Sequence, residues 1–121
     1  MSTSAPADAD ARGRLLGALR EHALVIGEVV LTSGAVAQYY VDVKRAILLR
    51  DGFEALAELV AARASEWGAT AVGGMTMGAD PIACAALAGG ADVKAFFVRK
   101  EAKQHGLFRR IEGPLLEPSD R

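Results

Sequence analysis

The sequence has 121 residues, of which 51% are hydrophobic and 24% charged, a composition typical of a globular chain of one domain or part of one. Its net charge of -1 argues against a general nucleic-acid-binding protein, and its single cysteine, Cys84, excludes an internal disulfide and is expected to be a small buried residue. No apolar segment is long enough to span a membrane and no secretion signal is recognisable, so we expect a cytoplasmic protein.

The chain is expected to begin with a disordered tail and one helix. Residues 1–10 are small, polar and acidic, and they have little apolar surface to bury. Residues 11–121 are therefore expected to form the folded part. Asp8 or Asp10 is the expected cap of the first helix. The apolar stripe of that helix consists of Leu15, Leu16, Leu19 and Ala23.

Two extended segments should follow this helix. Residues 25–31 and 39–43 are rich in β-branched or aromatic residues, which favours strands. Thr32, Ser33 and Gly34 lie between them and are typical of a turn. The sequence therefore predicts two strands joined through a polar connection.

A long helix is predicted over residues 51–67. Its apolar residues recur at spacings of three and four, which places them on one face of a helix, and Gly68 is a suitable stop. This face consists of Phe53, Leu56, Val60, Ala64 and Trp67.

A strand, a helix and a second strand are predicted next. Residues 69–72 and 93–98 are short apolar segments typical of strands. Between them a helix should start at Pro81, with Asp80 as its cap, and end at the glycines 89–90. This alternation of helix and strand favours an α/β fold with a parallel sheet.

A glycine-containing loop, residues 73–80, should join the first of these strands to its helix. Backbone N–H groups at such a junction are unpaired and the helix dipole is positive, which favours phosphate binding, and glycines let an anion approach closely. An ordinary tight turn is the alternative. Met75 and Met77 are interpreted as packing residues.

A charged segment follows the second strand. Residues 99–112 contain five cations and two anions, so they carry a charge of +3 while the rest of the chain carries -4. Arg, Lys and His donors suit a pyrophosphate, and open α/β sheets bind ligands at the carboxyl ends of strands. Glycines within and after the segment suit a mobile lid. A solvated run of charges is the alternative.

Three parts of the sequence resemble the orotate phosphoribosyltransferase family, and they occur in the family's order. They are the hood that meets orotate at residues 31–34 and 39–42, the pyrophosphate loop at residues 73–83, and the mobile catalytic loop at residues 97–106, which residues 109–114 continue as in actinobacterial members. The last of these, Phe-Val-Arg-Lys-Glu-Ala-Lys-Gln-His-Gly, is the most specific.

The resemblance implies a type I phosphoribosyltransferase α/β fold, a parallel sheet flanked by helices, with a small N-terminal hood. It implies transfer of ribose 5-phosphate from 5-phosphoribosyl 1-pyrophosphate to orotate, which gives orotidine 5'-monophosphate and pyrophosphate in pyrimidine biosynthesis. The implied cofactor is Mg²⁺, held mainly by the pyrophosphate. The implied assembly is a homodimer in which the Arg99–Gly113 loop acts across the interface.

The matched motifs also imply the site residues. Lys103 is the implied catalytic residue, because it would stabilise charge on the leaving pyrophosphate. The residues implied for 5-phosphoribosyl 1-pyrophosphate are Arg99, Lys100, Lys103, His105, Gly74, Met75, Thr76, Met77 and Gly78. Those implied for orotate are Ser33, Gly34, Tyr39 and Tyr40. No protein metal ligands are implied, since the two histidines and the cysteine are far apart in sequence.

The sequence departs from the family pattern in three respects. Thr32 and Met77 stand where some members carry lysine. The family's next strand, with its acidic pair and ribose 5-phosphate loop, is not seen, and Glu117 and Asp120 lie instead in a polar turn. We therefore expect the later part of the core to be missing, strand 93–98 to have an open edge, and the chain by itself to be inactive. An inactive fragment and a non-catalytic nucleotide-sensing relative are the alternatives.

Overall fold

The computed structural model of the chain describes residues 5–106 and 109–121. These residues form two compact units, one ending at Ala55 and the other running from Leu56 to Arg121. Within the described part of the chain, no helix is both long enough and apolar enough to cross a membrane.

The first unit combines helices with a two-stranded hairpin. Its elements in chain order are α1 (Ala5–Ala18), a π-helical segment (Leu19–Ala23), β1 (Leu24–Val30), β2 (Val36–Val41), α2 (Lys44–Ile47) and the start of α3 (Arg50–Glu66).

Helix α1 begins earlier than predicted. It starts at Ala5, so Asp8 and Asp10 lie inside the helix and neither caps it. The predicted tail of residues 1–10 thus overlaps the helix from residue 5 onward, and residues 1–4 lie outside the described residues. Asp10 instead forms an ion pair with Arg14 one turn later, with 3.0 Å between Oδ2 and Nε.

The buried face of this helical stretch also differs from the predicted stripe. Ala11 and Ala23 are fully buried, whereas Leu16 is 47% exposed. Leu15 and Leu19 are only half-buried. Small side chains therefore make the closest contacts of the first helix, because a buried alanine lets neighbouring backbone approach more closely than leucine does.

The two predicted extended segments form strands β1 and β2, and the structure pairs them as an antiparallel hairpin. Val30 pairs with Val36, so β2 begins three residues before the predicted start at Tyr39. The turn is closed by a hydrogen bond from the Leu31 N–H to the Ala35 carbonyl, 2.8 Å long. Gly34 adopts a φ of +89° within this turn, a conformation that side-chain-bearing residues rarely adopt.

Helices α2 and α3 meet at a glycine. A Cβ atom on Gly52 would lie 2.1 Å from the Ala46 carbonyl oxygen, which is well inside van der Waals contact. Ala46 is fully buried and Ile47 is 1% exposed, so the contact belongs to the core of this unit. Glycine is required at position 52 because backbone occupies the space of a side chain.

Gly52→Ala should destabilise the chain, whereas Gly17→Ala should stabilise it. The added methyl at position 52 forces apart two backbone segments, and overpacking of this kind costs about 1–3 kcal/mol. Gly17 lies in α1 with open space around its Cβ position, so alanine there gains about 0.5–1 kcal/mol of helix propensity. Urea unfolding of both variants and the unsubstituted chain measures the difference, and equal midpoints for all three would refute this account.

The second unit is a three-stranded sheet with helices. Its elements are the rest of α3, then β3 (Ala71–Met75), α4 (Asp80–Ala88), β4 (Lys94–Val98) and β5 (Ile111–Glu112). The strand order is β3-β4-β5, with β3 parallel to β4 and β5 antiparallel to it. The predicted parallel pair is therefore confirmed. The predicted open edge of strand 93–98 is wrong in part, because the returning arm of the charged loop supplies β5, which pairs with Phe97 and Val98.

The long helix was predicted well except at its end. Leu56 and Ala64 are buried on its apolar face, and Gly68, with a φ of +62°, follows the helix as expected. Trp67 lies after the last helical residue and is 65% exposed, so its place on that face is wrong. The spacing fitted a helix, but the glycine stop turns the chain one residue too early for Trp67 to pack there.

Helix α4 buries its alanines and leaves its cysteine outside. Ala83, Ala85 and Ala86 are buried, whereas Cys84 is exposed, so the prediction of a buried cysteine is wrong. Cys84 and Leu87 are three residues apart and share the exposed face of this helix. The apolar run gave no period from which that face could be recognised.

The polar turn at residues 117–120 fastens the end of the described chain to the start of the sheet. The Asp120 carboxylate accepts hydrogen bonds from Lys94 Nζ and Thr70 Oγ1, each 2.9 Å long. It also accepts one from the Glu117 N–H at 2.7 Å. The Arg121 main-chain oxygen accepts from the Thr70 N–H, also at 2.7 Å. These donors lower the pKa of Asp120 to about 2, the Glu117 N–H first and Lys94 next.

Ionised Asp120 should make unfolding pH-dependent in the acid range. Its folded pKa lies below its ordinary value of 3.8, so its stabilising effect is present above about pH 4 and is lost as the pH falls toward about 2. We expect Asp120→Asn to be less stable than the unsubstituted chain near neutral pH, with the gap closing between these limits. Urea unfolding across that pH range tests this, with exposed Asp92→Asn as the control. A gap that stays constant with pH would contradict it.

Candidate active site

Two loops of the second unit start side by side because their strands are parallel and in register. Met75, the last residue of β3, pairs with Val98, the last residue of β4. The Thr76 N–H then donates to the Val98 carbonyl oxygen at 2.9 Å. The loops that begin at Thr76 and Arg99 therefore leave the same edge of the sheet, where open α/β sheets place ligands.

The first loop is shorter than predicted. Gly73, Gly74 and Met75 belong to β3, so only residues 76–79 form the loop. A Cβ on Gly73 would lie 2.5 Å from the Phe96 ring, and one on Gly74 would lie 2.8 Å from the Ala79 side chain. These two glycines are therefore required for packing, a role that the sequence could not separate from phosphate approach.

The methionines of this region are not packed. Met75 is 46% exposed and Met77 is 69% exposed, so their interpretation as packing residues is wrong. Gly78 has open space around its Cβ position. The surface of the loop is thus accessible from Met75 to Gly78, and it carries no cation of its own.

Asp80 has another role than the predicted helix cap. Helix α4 begins at this residue, and no side chain caps it. The Thr76 hydroxyl instead donates a hydrogen bond to Asp80 Oδ2, which closes the loop on itself. The second oxygen, Oδ1, is buried and has no hydrogen-bond partner among the described residues. Pro81 lies in the first turn of the helix, as predicted.

The second loop is the charged segment, and the structure makes it a hairpin. The Arg99 N–H donates to the Arg110 carbonyl oxygen at 2.7 Å, and the Lys103 N–H donates to the Arg109 carbonyl oxygen at 2.8 Å. The Arg110 guanidinium donates from Nε to the Arg99 carbonyl oxygen at 3.0 Å. The expected lid therefore has a fixed stem, while its residues 107–108 lie outside the described residues.

Three basic residues in the first half of this hairpin are exposed. They are Lys100, Lys103 and His105. Lys103 has a hydrogen-bonded backbone and an exposed residue position, so its amine is offered to solvent from a fixed point of the chain. This arrangement fits the capture of an anion arriving from solution.

Arg99 is the cation whose surroundings differ most from expectation. Its Nε lies 2.7 Å from Oε2 of Glu112, and both side chains are partly exposed. This hydrogen bond is the main cause of a lowered pKa for Glu112, to which the charges of Arg99, Lys103 and Arg109 also contribute. No role for Glu112 was predicted from the sequence. The alternation of strand residues across a hairpin could have suggested the pair, but the register of that hairpin was not known.

The residues expected to contact orotate lie in the hairpin of the first unit. Ser33 and Gly34 are in the turn, and the Ala35 N–H donates to Ser33 Oγ at 3.4 Å. Tyr39 and Tyr40 lie in β2 and are 63% and 43% exposed. Consecutive strand residues point to opposite faces, so the hairpin presents one tyrosine on each face. Tyr39 and Tyr40, which the motif had grouped together, thus lie on opposite faces of the hairpin.

A protein metal centre is not formed by the described residues. In residues 5–106 and 109–121, no three His, Cys, Asp or Glu residues come close enough to hold a metal ion. Any divalent cation acting at this edge of the sheet would need a ligand molecule to supply most of its oxygens.

Comparison with known proteins identifies the chain's relatives. Orotate phosphoribosyltransferase of Corynebacterium glutamicum is 49% identical over 108 residues, which is 88% of this chain and 59% of that protein. The enzyme of the same name from Streptomyces coelicolor is 45% identical over 87% of this chain. The chain is related to the orotate phosphoribosyltransferases. It spans about 59% of the length of the first of these curated relatives, and no family model matches it.

Solved structures of orotate phosphoribosyltransferases have the same fold. That of Mycobacterium tuberculosis, in complex with Fe(III) dicitrate, superimposes with a TM-score of 0.72 at 40% identity, over 87% of this chain and 61% of that one. A phosphoribosyltransferase from Corynebacterium diphtheriae gives a TM-score of 0.71 at 39% identity, over 87% of this chain and 58% of that one. The predicted type I phosphoribosyltransferase fold is therefore confirmed for the part of it that this chain spans.

The fixed stem of the hairpin should be visible in amide hydrogen exchange. The Arg99 and Lys103 amides donate to opposite-arm carbonyls and should exchange more slowly than those of exposed Lys100 and Glu101. This differs from a loop that is uniformly mobile. Exchange of the free chain, followed residue by residue by NMR, provides the measurement. Equally fast exchange at all four amides would show that the stem is open in solution.

Proposed function

We propose that the protein is an orotate phosphoribosyltransferase that transfers ribose 5-phosphate from 5-phosphoribosyl 1-pyrophosphate to orotate. The observation that carries this proposal is the placement of two motifs at one edge of a parallel sheet. The loop from Thr76 and the cationic hairpin from Arg99 start at paired strand ends. A related enzyme from Mycobacterium tuberculosis, 32% identical with a TM-score of 0.66, was solved in complex with 5-phospho-alpha-D-ribosyl 1-diphosphate.

The chemistry of the transfer accounts for the cations. As the bond from C1 of the ribose to the pyrophosphate breaks, the sugar gains positive character and the leaving group gains negative charge. Donors fixed in advance around the leaving group stabilise that charge most in the transition state. Lys103 is the proposed catalytic residue, because its exposed amine extends from a hydrogen-bonded backbone position.

The remaining phosphate contacts are proposed from the same two loops. Arg99, Lys100 and His105 of the hairpin would bind the phosphates through charge-assisted hydrogen bonds. The residues proposed from the other loop and the adjoining strand end are Gly74, Met75, Thr76, Met77 and Gly78. Gly74 packs against Ala79, and the Thr76 hydroxyl and N–H already donate to Asp80 and Val98, so these two residues would act mainly by shaping the loop that meets the phosphates.

Mg²⁺ is part of the proposal. When bound with the substrate it would neutralise part of the pyrophosphate charge, and the pyrophosphate oxygens would supply most of its ligands. Asp80, which follows this loop, has a buried carboxylate oxygen, Oδ1, without a hydrogen-bond partner among the described residues, and a hard oxygen of this kind suits a cation better than it suits a phosphate.

The orotate subsite and the assembly are proposed from the family resemblance more than from contacts in the structure. Ser33, Gly34, Tyr39 and Tyr40 are proposed to meet orotate, with the Ser33 hydroxyl as a donor to its carboxylate or carbonyl groups. A homodimer in which the Arg99–Gly113 hairpin serves the neighbouring subunit, and a cytoplasmic location, complete the proposal. Both are proposed from the resemblance of the matched motifs to the orotate phosphoribosyltransferase family.

The function is tested by loss of orotate absorbance in the presence of 5-phosphoribosyl 1-pyrophosphate and Mg²⁺. The protein should be expressed at its full natural length, and uracil, adenine and hypoxanthine serve as control bases. We expect turnover with orotate alone. Turnover with another base would overturn the substrate assignment, and binding of both substrates without turnover would favour a non-catalytic nucleotide-sensing relative.

Lys103→Ala should lower kcat much more than it weakens substrate binding. The lost donor acts mainly in the transition state, so about 10²–10³ in rate should be lost while KM changes little. Steady-state kinetics of the full-length protein gives both constants, with Lys44→Ala, a substitution outside both loops, as the control. A raised KM with normal kcat would show that Lys103 binds substrate without contributing to catalysis.

A further inference from the structure

We propose that Glu112 is a positioning residue that orients Arg99 for phosphate binding. This role depends on the proposed function, because it takes Arg99 as a ligand of the pyrophosphate group. Neither the sequence motif nor the comparisons with relatives single out Glu112. The geometry does so, since its carboxylate oxygen Oε2 lies 2.7 Å from Arg99 Nε.

The atom used in this contact determines its consequence. A guanidinium has five N–H donors in one plane, and Nε carries one of them. A carboxylate fixed at Nε restrains rotation of that plane and leaves the terminal amino groups as the edge that can meet a second anion. Arg99 would then reach a phosphate with its orientation already set, which lowers the entropy cost of binding.

The hairpin stem fixes where this carboxylate lies. Glu112 pairs with Phe97, and Ile111 pairs with Val98, across the antiparallel β4–β5 ladder. The Arg99 N–H continues the ladder by donating to the Arg110 carbonyl oxygen at 2.7 Å. Glu112 is therefore held by the sheet on one side of the cationic loop, and the loop beyond it can change conformation without releasing the pair.

If Glu112 acted only through its charge, its removal would change anion affinity in the opposite direction from the loss of a positioning residue. Glu112 is one of two anions in a segment that carries a charge of +3, so removing its charge should by itself tighten the binding of an anion. Loss of orientation should weaken that binding instead. The sign of the change in affinity therefore separates the two effects. Glu101, the other anion of the segment, is exposed and serves as the matched charge control.

The test is titration of the protein, expressed at its full natural length, with 5-phosphoribosyl 1-pyrophosphate and Mg²⁺ in a calorimeter. We expect Glu112→Gln to weaken binding about tenfold, the scale on which residues that orient a ligand-binding group act. Glu101→Gln should bind as tightly as the unsubstituted chain or more tightly. In an Arg99→Ala background, Glu112→Gln should cause no further weakening, because the group that it orients is gone.

Three contrary outcomes can be told apart. Absence of binding by the unsubstituted chain would count against the proposed function, and this role would fail with it. Binding by the unsubstituted chain, with Glu112→Gln equal to or tighter than it, would overturn the positioning role alone. If Glu112→Gln weakens binding only together with loss of exchange protection at the Lys103 amide, or equally in the Arg99→Ala background, its role is structural and the proposal is wrong.

Discussion

In the second unit, the parallel hydrogen bonds between β3 and β4 fix where the charged residues of the candidate site can lie. The two strands end in register at Met75 and Val98, so the loops that follow them must start next to each other. The close fit of Gly73 against Phe96 allows the strands this register, since a Cβ atom at position 73 would overlap the ring. The packing of Gly73 against Phe96 thus helps to determine where the polar loops after Met75 and Val98 begin.

The cationic hairpin adds a second constraint, which concerns charge. Five cations within residues 99–112 repel one another, and a free segment of that composition would be expected to stay extended in solvent. Here the stem is closed by main-chain hydrogen bonds and by the contact between Arg99 and Glu112. The repulsion between cations therefore remains among the exposed residues of the loop, where a bound anion of suitable size would reduce it. This is the physical link between the fold and the proposed binding of phosphate.

The other end of the sheet is fixed by polar contacts. Asp120 accepts hydrogen bonds from Thr70, which lies just before β3, from Lys94 at the start of β4, and from the Glu117 main chain. Hydrogen bonds and an ion pair between Lys94 and Asp120 thus hold one edge of the sheet, while the opposite edge carries an excess of positive charge. Binding loops can change conformation at the second edge because the first does not depend on them.

Much of the architecture followed from local sequence features. The apolar spacing of α3, the glycines after α3 and α4, the turn at Ser33 and Gly34, and the parallel pair of strands were all predicted, because each rests on a periodicity or a backbone preference carried by a few neighbouring residues. The errors share a different origin. Trp67, Cys84 and Asp80 were assigned by a pattern that two arrangements satisfy equally, and only packing against distant residues chooses between them.

The sequence by itself determined the longer helices and strands, their order, and the family resemblance of residues 97–106, but it did not predict α2 or β5. The resemblance could be recognised because packing alone does not require a run of specific polar residues. Only the tertiary structure decided what these residues contact. The pairing of Arg99 with Glu112 joins residues thirteen positions apart, and that of Thr70 with Asp120 joins residues fifty positions apart. Such contacts depend on strand register and chain reversal, which are set by the energy of the whole unit and leave no mark in a local pattern.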